Sequence, residues 1–280
     1  MRSFRPFTNS RPQPQHGRIQ QMEPNAFVAE VYRRMSLRHA SELRRQPWSE
    51  MAADPKVEEA LHEVQHLLPS NRDSAILDIG FGNGWFIAAC LKLGYRNVSG
   101  AEFAVDSRSY VADWSPAVSL LNIDTNIGDF LLDRQQAYDF IHLSHVIEHI
   151  PKYSLLYIVD ALYAALRPGG MLILRTPNME GPCAMSCLFV TLGHEYGFCG
   201  SNLVSLLSIC NFDQIQFHAF RPYRPSPKQR IGMAIRAPFL LWSKIKHRLF
   251  GVNEGNQWGI ELVVTARRGT LPSLLDPKYK

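Results

Sequence analysis

AILDIGFGNGWFIAACLKLGY (residues 75–95) is the stretch that decides the fold. An apolar run that predicts a buried strand ends in Gly80, Gly82 and Gly84, and a helical periodicity follows these glycines. Glycine allows a tight turn and lets a ligand approach the main chain. The N-terminus of the following helix offers N–H groups to a carboxylate or a phosphate. The stretch therefore predicts a strand, a ligand-binding loop and a helix in succession.

Strand and helix patterns keep alternating on the C-terminal side of this loop. The predicted strands lie at 97–103, 120–127, 138–145 and 171–177, and the predicted helices at 106–116 and 154–170. Such alternation predicts a mostly parallel sheet with helices on both faces, an α/β fold. A helix at 201–211 and strands at 212–220 and 259–268 complete the pattern, and the last strand suits an antiparallel place at the sheet edge.

Several segments are expected along the chain. Residues 1–20 carry four arginines and no acid, which predicts a disordered basic tail. Residues 21–70 predict a cover of two or three helices. The sheet domain is expected over 71–268, with a basic amphipathic insert at 221–256 and a short C-terminal tail at 269–280.

The composition is that of a globular protein, because 46% of the 280 residues are hydrophobic and 20% are charged. No run reaches the ~18 apolar residues that a membrane-spanning helix needs, and the N-terminus shows no apolar core of a secretory signal. Five cysteines, an odd number, argue against a disulfide framework. We therefore expect a protein of a reducing compartment, the cytoplasm.

The loop and the acidic residues after it favour a nucleoside ligand. Dinucleotide-binding loops follow the pattern G-x-G-x-x-G. Its third glycine would fall on Trp85 in this chain, so the loop departs from that pattern. Glu102 follows 18 residues after the last loop glycine, at the predicted end of the second strand, where a carboxylate can accept both ribose hydroxyls. Asp129 is expected at the end of the third strand, close to an adenine amino group, with Phe103 or Phe130 on the face of the base.

The chain from about 74 to 178 resembles class I S-adenosylmethionine-dependent methyltransferases. The motifs that carry the resemblance are LDIGFGNG (77–84), Glu102, GDF (128–130), HVIEHI (145–150) and LRPGGMLILRTPN (166–178). The form of the last two motifs is similar to the small-molecule branch, which includes enzymes acting on glycans and quinone-type metabolites. The resemblance implies a Rossmann-like, seven-stranded, mostly parallel sheet, with the helical cover before it and a helical insert before the last strand.

The resemblance also implies S-adenosyl-L-methionine as cofactor and a role for each matching residue. Asp78 and the glycine loop hold the methionine end, Glu102 binds ribose, and Asp129 with Phe130 borders adenine. Ser144 and His145 face the methionine moiety and the substrate. The full set expected to bind the cofactor is Asp78, Gly80, Gly82, Asn83, Gly84, Glu102, Phe103, Asp129, Phe130 and Ser144.

The histidines allow several interpretations. His145, Glu148 and His149 spell H-x-x-E-H, the inverted zinc-protease pattern, but that site needs both histidines on one helix face, and Pro151 follows closely. Glu148 and His149 can instead orient a turn through hydrogen bonds. Alternatively, His145 or His149 positions or deprotonates a methyl acceptor, since the histidine pKa lies near neutrality. We expect these three residues in the catalytic set and no metal ion.

The segment after the fifth strand carries a second group of reactive side chains. His194, with Glu195 and Tyr196, lies where the related enzymes place an acceptor lid, so His194 joins the expected catalytic set. A zinc site is the alternative there, built from Cys183, Cys187, His194 and Cys199. Its spacing is wider than the usual pairs of structural zinc sites, which favours ordinary cysteines.

The basic insert explains the sign of the net charge. Residues 221–250 carry eight basic side chains and no acid, whereas the chain outside this run and the basic tail is net acidic. Apolar residues at helical steps beyond Pro238 make the helix amphipathic. It can cap the active site, contact a membrane surface or a lipid-linked substrate through 231–250, or bind a polyanion. Nucleic acid ranks last because no base-stacking motif is present.

These observations predict methyl transfer from S-adenosyl-L-methionine to a small or lipid-linked metabolite. Methyl transfer demands mainly in-line alignment and desolvation from the protein. The first choice of acceptor is a hydroxyl of a glycan-type molecule. The alternatives are a different nucleoside-cofactor enzyme, such as an NAD-dependent oxidoreductase, and a non-catalytic protein that binds S-adenosylmethionine. Trp85 in the loop argues against the oxidoreductase.

Overall fold

A computed structural model describes most of the chain after residue 46. The described residues are 30–31, 47–103, 114–123, 126–181, 184–219, 226–249 and 259–275. The predicted basic tail at 1–20 lies outside them, as do most of the predicted cover before residue 47 and most of the predicted helix at 106–116.

Seven strands form one sheet. They are β1 (Ile76–Ile79), β2 (Val98–Glu102), β3 (Val118–Asn122), β4 (Tyr138–Ser144), β5 (Leu166–Pro177), β6 (Phe212–Phe217) and β7 (Glu261–Arg268), and they lie in the order β3-β2-β1-β4-β5-β7-β6. The first five strands pair in parallel. The predicted Rossmann-like, seven-stranded, mostly parallel α/β sheet is confirmed.

Helices cover both faces of the sheet. In chain order they are α1 (Trp48–Met51), α2 (Pro55–Val64), α3 (Trp85–Lys92), α4 (Ile127–Leu132), α5 (Leu155–Ala165), α6 (Ala184–Leu188), α7 (Gly200–Ile209) and α8 (Pro227–Leu249). One core lies between the sheet and α4, α5 and α7, and a second lies between the sheet and α1, α2 and α3. Every residue of β1 is buried between these two layers, as its unbroken apolar run predicts.

The last strand takes a different place from the predicted one. β7 is antiparallel, as expected, but it lies between β5 and β6 and pairs with both. The sheet edge is therefore β6, not β7. The physical reason is burial on both faces: Leu262 and Val264 pack into one core and Val263 packs into the other, which suits a strand inside the sheet.

The third strand also differs from its prediction over 120–127. β3 already ends at Asn122, and α4 begins at Ile127. The helix starts there because the Asn126 side chain accepts a hydrogen bond from the Asp129 N–H at 2.9 Å, an N-cap arrangement. Asp129 thus lies in the first turn of a helix and not at the end of a strand.

The helix predicted over 154–170 is shorter in the structure, because its last residues form the beginning of β5. α5 ends at Ala165 because Leu166 already pairs with Tyr138 of β4. The ladder then shifts register at the turn where Gly169 adopts a φ of 72°. The predicted helical insert before the last strand is confirmed as α8, a helix of 23 residues. In the described part of the chain, no helix is both long enough and apolar enough to cross a membrane.

Candidate active site

A cavity of about 430 Å³ opens at the carboxyl ends of β1 and β4, beside the glycine loop. This is the edge of a parallel sheet at which ligands of such folds bind. Six of the predicted site residues line it: Asp78, Gly80, Gly82, Asn83, Ser144 and His145. Helix α2 forms the opposite wall through Glu59 and Glu63, two residues that the sequence did not single out.

The glycine loop adopts a conformation that side chains rarely allow. The φ angles of Gly80, Gly82 and Gly84 are 71°, 51° and 78°, all left-handed. A Cβ atom at Gly80 would lie 2.6 Å from a methyl carbon of Val146, so this glycine is also needed for packing. At Gly82, by contrast, no atom lies within 4 Å of a Cβ position. The loop thus presents bare backbone to the cavity, which suits the close approach of a ligand.

Asp78 is buried beneath the loop and pairs with a residue of β4. Its Oδ1 lies 2.7 Å from Nδ1 of His142, and the His142 ring stacks on Phe86 with a centroid separation of 4.0 Å. Burial raises the pKa of the Asp78 carboxyl, and the histidine opposes that shift. His142 lines the cavity too. In the sequence, the one feature that could have indicated His142 was the occurrence of a histidine within the apolar strand YDFIHLS.

Glu102 reaches the glycine loop from the end of β2. Its carboxylate accepts hydrogen bonds from the backbone N–H groups of Gly82 at 3.3 Å and Phe103 at 2.9 Å. The predicted ribose-binding carboxylate therefore lies against the loop, but it is not among the described residues that line the cavity, and its role beside ribose stays a prediction. The side chain of Phe103 is exposed.

The side chains of Asp129 and Phe130 contact neighbouring residues of α4, α5 and the turns beside them. The Asp129 carboxylate accepts hydrogen bonds from Asn126 Nδ2 at 2.7 Å and from the Tyr157 hydroxyl. The bond to Asp129 raises the pKa of Tyr157 to about 12. The Phe130 ring is buried, and the guanidinium of Arg134 lies 3.9 Å from its centroid. Neither residue belongs to the described lining of the cavity, so their role beside adenine stays a prediction.

His145 lies at the cavity between two carboxylates. It has a positive φ of 55°, its Nδ1 lies 3.1 Å from Glu148 Oε1, and its Nε2 lies 3.0 Å from Glu261 Oε1. Burial lowers the pKa of His145, but the hydrogen bonds and charges of the two carboxylates outweigh burial and raise it to about 9. His145 is therefore a cation at neutral pH.

Arg175 completes a charge network that the sequence did not indicate. Its guanidinium donates to Glu63 at 2.6 Å and to Glu261 at 2.7 Å. The His145 hydrogen bond, together with Arg175, lowers the pKa of Glu261 to about 2 although burial opposes this. The members lie far apart in the chain, so no local pattern brings them together before the sheet is built.

His149 and His194 form a second cluster with Glu148, and these two histidines are not among the residues that line the cavity. The centroids of their rings lie 4.7 Å apart. Glu148 joins the two places, since its buried carboxylate contacts His145. The structure thus separates the predicted catalytic set into His145 at the cavity and His149 with His194 behind it.

The histidine pattern for zinc does not form, and the described members of the cysteine pattern contact other groups. His145 follows the last residue of β4, whereas His149 closes a short 3₁₀ turn, so the two histidines do not share a helix. In the cysteine set, Cys183 lies outside the described residues. Cys199 contacts Ser201 at 3.2 Å, and His194 bonds the carbonyl, not the thiol, of Cys187.

Comparison with known proteins identifies similarity to methyltransferases. The family model described as a methyltransferase domain matches residues 48–212, more than half of the chain. A zebrafish (Danio rerio) relative, EEF1A lysine methyltransferase 2, is 26% identical over 135 residues, which cover 43% of this chain and 57% of that protein. The matched stretch thus spans little more than half of that relative's length.

Solved structures share the fold at low sequence identity. A SAM-dependent methyltransferase from Archaeoglobus fulgidus superposes with a TM-score of 0.54 at 15% identity, covering 75% of this chain and 94% of that one. The Burkholderia thailandensis 1,6-didemethyltoxoflavin-N1-methyltransferase, solved with S-adenosylhomocysteine, gives a TM-score of 0.55 at 18% identity, covering 89% and 92%. Together with the glycine loop and the Glu102 carboxylate against it, the family match shows that this chain belongs to the methyltransferase domain family, whose methyl donor is S-adenosyl-L-methionine.

Proposed function

We propose that the protein transfers the methyl group of S-adenosyl-L-methionine to a hydroxyl of a small or lipid-linked acceptor of the glycan type. The observation that carries the proposal is His145, which lies at the cavity beside the glycine loop and is held between Glu148 and Glu261. The neutral form of His145, whose population grows as the pH approaches the His145 pKa of about 9, can take the proton of a hydroxyl, whose pKa lies far above 7.

The chain's own residues account for binding. The bare backbone of the glycine loop and the Glu102 carboxylate suit the amino-acid and ribose parts of the cofactor. The buried Asp78–His142 pair lines the cavity beneath the loop. The cofactor supplies an already activated methyl group on a sulfonium. What remains for the protein is to align the acceptor and to exclude water.

His145 is proposed to receive the acceptor proton. Glu148 is buried and fixes the Nδ1 side of the ring, whereas Nε2 faces the more exposed Glu261. We therefore assign Nε2 as the nitrogen that takes the proton when the Glu261 carboxylate moves aside for the acceptor. The two carboxylates make the imidazole a stronger base and stabilise the imidazolium that forms.

An amine acceptor is the second candidate. Glu59 and Glu63 place carboxylates on the cavity wall, where they pair with Lys56 and Arg175. An acceptor that arrives as an ammonium ion would compete with these cations for the two carboxylates. The similarity to a lysine methyltransferase favours the same alternative. Transfer to nitrogen would make deprotonation by His145 less important, since an amine pKa lies much closer to neutrality than that of a hydroxyl.

Product analysis by mass spectrometry tests the proposal. The full chain is incubated with S-adenosyl-L-methionine and a panel of glycosides and amines, and the methylated atom is identified. We expect O-methylated product, and we expect His145→Ala to lower kcat by about 100-fold or more while calorimetry shows unchanged affinity for S-adenosylhomocysteine. Exclusive N-methylation, or cofactor affinity lost as far as activity, contradicts the assignment.

The surface of helix α8 favours the proposal that the acceptor is presented at a membrane surface. Ile231, Ile235, Trp242 and Leu249 recur at helical steps on one face and are all more than half exposed. The segment of the helix carries basic residues and no acid. An exposed apolar stripe within a basic helix is the pattern of an element that lies in the interface of an anionic bilayer. We propose that α8 brings the cavity to such a surface.

The proposed location is cytoplasmic, peripheral at the membrane. The described cysteines, Cys90, Cys187, Cys199 and Cys210, are all free thiols. Free thiols suit a reducing compartment. Nucleic acid is not part of the proposal.

A further inference from the structure

We propose that Glu148, His149 and His194 form a binding site for a divalent transition-metal ion such as Zn²⁺. One potential ligand atom of each residue lies within 4.8 Å of the other two. Two imidazole nitrogens and one carboxylate oxygen are a ligand set that zinc and related ions accept. The site goes beyond the proposed methyl transfer and departs from the expectation, drawn from the sequence, that no metal ion is bound. It shares Glu148 with His145, but its test does not require the methyl transfer.

The hydrogen bonds of both histidines fix the tautomer that a metal ligand requires. His149 Nδ1 lies 2.8 Å from the carbonyl oxygen of Gly193, and His194 Nδ1 lies 2.8 Å from that of Cys187. A carbonyl only accepts, so each Nδ1 carries a proton, and in the neutral ring each Nε2 then carries the lone pair. A ring N–H that donates to a backbone carbonyl is the usual outer partner of a metal-bound histidine.

The buried carboxylate of Glu148 can supply the oxygen ligand. Glu148 is only 2% exposed, and its carboxylate accepts from Thr176 Oγ1 at 3.2 Å as well as contacting His145. A carboxylate has about four lone-pair positions, so these contacts leave capacity for a cation.

The backbone holds the three side chains together before any ion binds. The Glu148 carbonyl accepts hydrogen bonds from the N–H groups of Glu195 at 2.8 Å and Tyr196 at 3.1 Å. The segment that carries His194 is thereby tied to the turn that carries Glu148 and His149. Three protein ligands leave at least one coordination position for water or for an oxygen of a ligand.

Metal titration of the full, tag-free chain tests the site. After removal of metals with a chelator, Zn²⁺ is titrated in a calorimeter and Co²⁺ by visible absorption, without cofactor. We expect one ion per chain. His194→Asn should lower the affinity by more than about 100-fold, because even the loss of an outer partner costs about 10–100-fold. His194→Asp, which restores a ligand oxygen, should bind more tightly than His194→Asn. His62→Ala removes an exposed histidine of α2 and should bind as the wild type does.

The wild-type protein alone also decides the question. X-ray absorption of the zinc-loaded chain should show two imidazoles and oxygen, and no sulfur. Sulfur ligation, no saturable binding by the wild type, or equal affinity of the His194→Asn and wild-type chains would overturn the proposal. Because the spectroscopy uses the unaltered chain, a variant that fails to fold does not leave the proposal undecided. Methyl-transfer activity is not measured, so the proposed function can fail without affecting this result.

Discussion

At the scale of single residues, the ionisation of His145 is set by competition between burial and two carboxylates. Its pKa of about 9 lies above the usual value of 6.5. The pairing therefore contributes stability that is fully present below about pH 6.5 and is lost as the pH rises through 9. If neutral His145 accepts the acceptor proton, the rate must rise over the same interval.

Glu261→Gln tests this link between charge and rate. The wild-type rate should increase with pH, reach half of its maximum near pH 9 and level off about one pH unit higher. The variant should reach half of its maximum at lower pH, because one of the two carboxylates that raise the His145 pKa is gone. The measurement is a pH profile of kcat/KM, with Glu58→Gln as a control, since Glu58 pairs with Lys92 on the outside of α2. Superimposable profiles for wild type and Glu261→Gln exclude His145 as the base.

Two glycines allow the function of the loop to be separated from backbone strain. Gly82 and Gly169 both have positive φ, 51° and 72°, and neither has an atom within 4 Å of a Cβ position. Alanine at either position should therefore lower the free energy of unfolding by about 1–2 kcal/mol. Only Gly82 lines the cavity.

We expect Gly82→Ala, but not Gly169→Ala, to weaken binding of S-adenosylhomocysteine by about tenfold or more, since a methyl group there occupies space that the ligand needs and tenfold corresponds to only 1.4 kcal/mol. Calorimetric titration gives the affinity, and urea unfolding gives the stability. Equal affinity of the two variants would show that the cofactor does not touch this part of the loop.

At the scale of secondary-structure elements, Arg175 joins three of them. It lies on β5 and binds Glu63 of α2 and Glu261 of β7. Arg175→Met would leave two largely buried carboxylates without this partner, and truncating one member of such a network typically costs about 2–5 kcal/mol. We expect that loss in urea unfolding at pH 7.

The double variant Arg175→Met with Glu63→Gln serves as its control. Removal of the Glu63 charge should recover part of the lost stability, because burial already disfavours the charged form and raises the pKa of this carboxyl. If Arg175→Met is as stable as the wild type, solvent replaces the arginine without a loss in the free energy of unfolding.

Helix α8 carries the prediction for membrane contact. The full chain should sediment with vesicles that contain phosphatidylserine and much less with neutral vesicles, because the segment is basic. The double variant Phe239→Ser/Trp242→Ser should bind at least about tenfold less tightly, since burying one such side chain contributes about 1.5–3 kcal/mol. Ile209→Ser is the control, because Ile209 is an apolar residue on α7 that is also more than half exposed. Equal binding of the two variants would remove α8 from the contact.

At the scale of the whole molecule, what could be predicted from the sequence follows the range of the interactions. The β1–loop–α3 unit was predictable because its apolar run, glycines and helical period are neighbours in the chain. Asp129 was misplaced because a single Asn126 cap decides between strand and helix. The position of β7 and the Arg175 network depend on contacts between residues about 50 to 110 positions apart, which no local pattern contains.

The interior position of β7 makes the integrity of the sheet depend on the end of the chain. Removal of 259–280 would leave β5 and β6 without their common partner and would delete four apolar side chains of β7 that are at most 4% exposed. At about 1.5–3 kcal/mol for each large buried side chain, the loss approaches the whole stability of a typical domain, about 5–15 kcal/mol. We therefore expect the chain ending at residue 258 to show no cooperative thermal transition by circular dichroism.

A chain ending at Pro272 is the matched truncation, because it keeps β7 and the carbonyl oxygens of Gly269 and Leu271 that accept from the Tyr163 hydroxyl at 3.2 and 2.5 Å. Its melting temperature should stay close to that of the full chain. If the chain ending at residue 258 also melts cooperatively, the parallel part of the sheet is stable by itself. In that case β7 and the insert before it would be additions to an independent core, and the charge of His145, which depends on Glu261 of β7, could be changed without unfolding the rest.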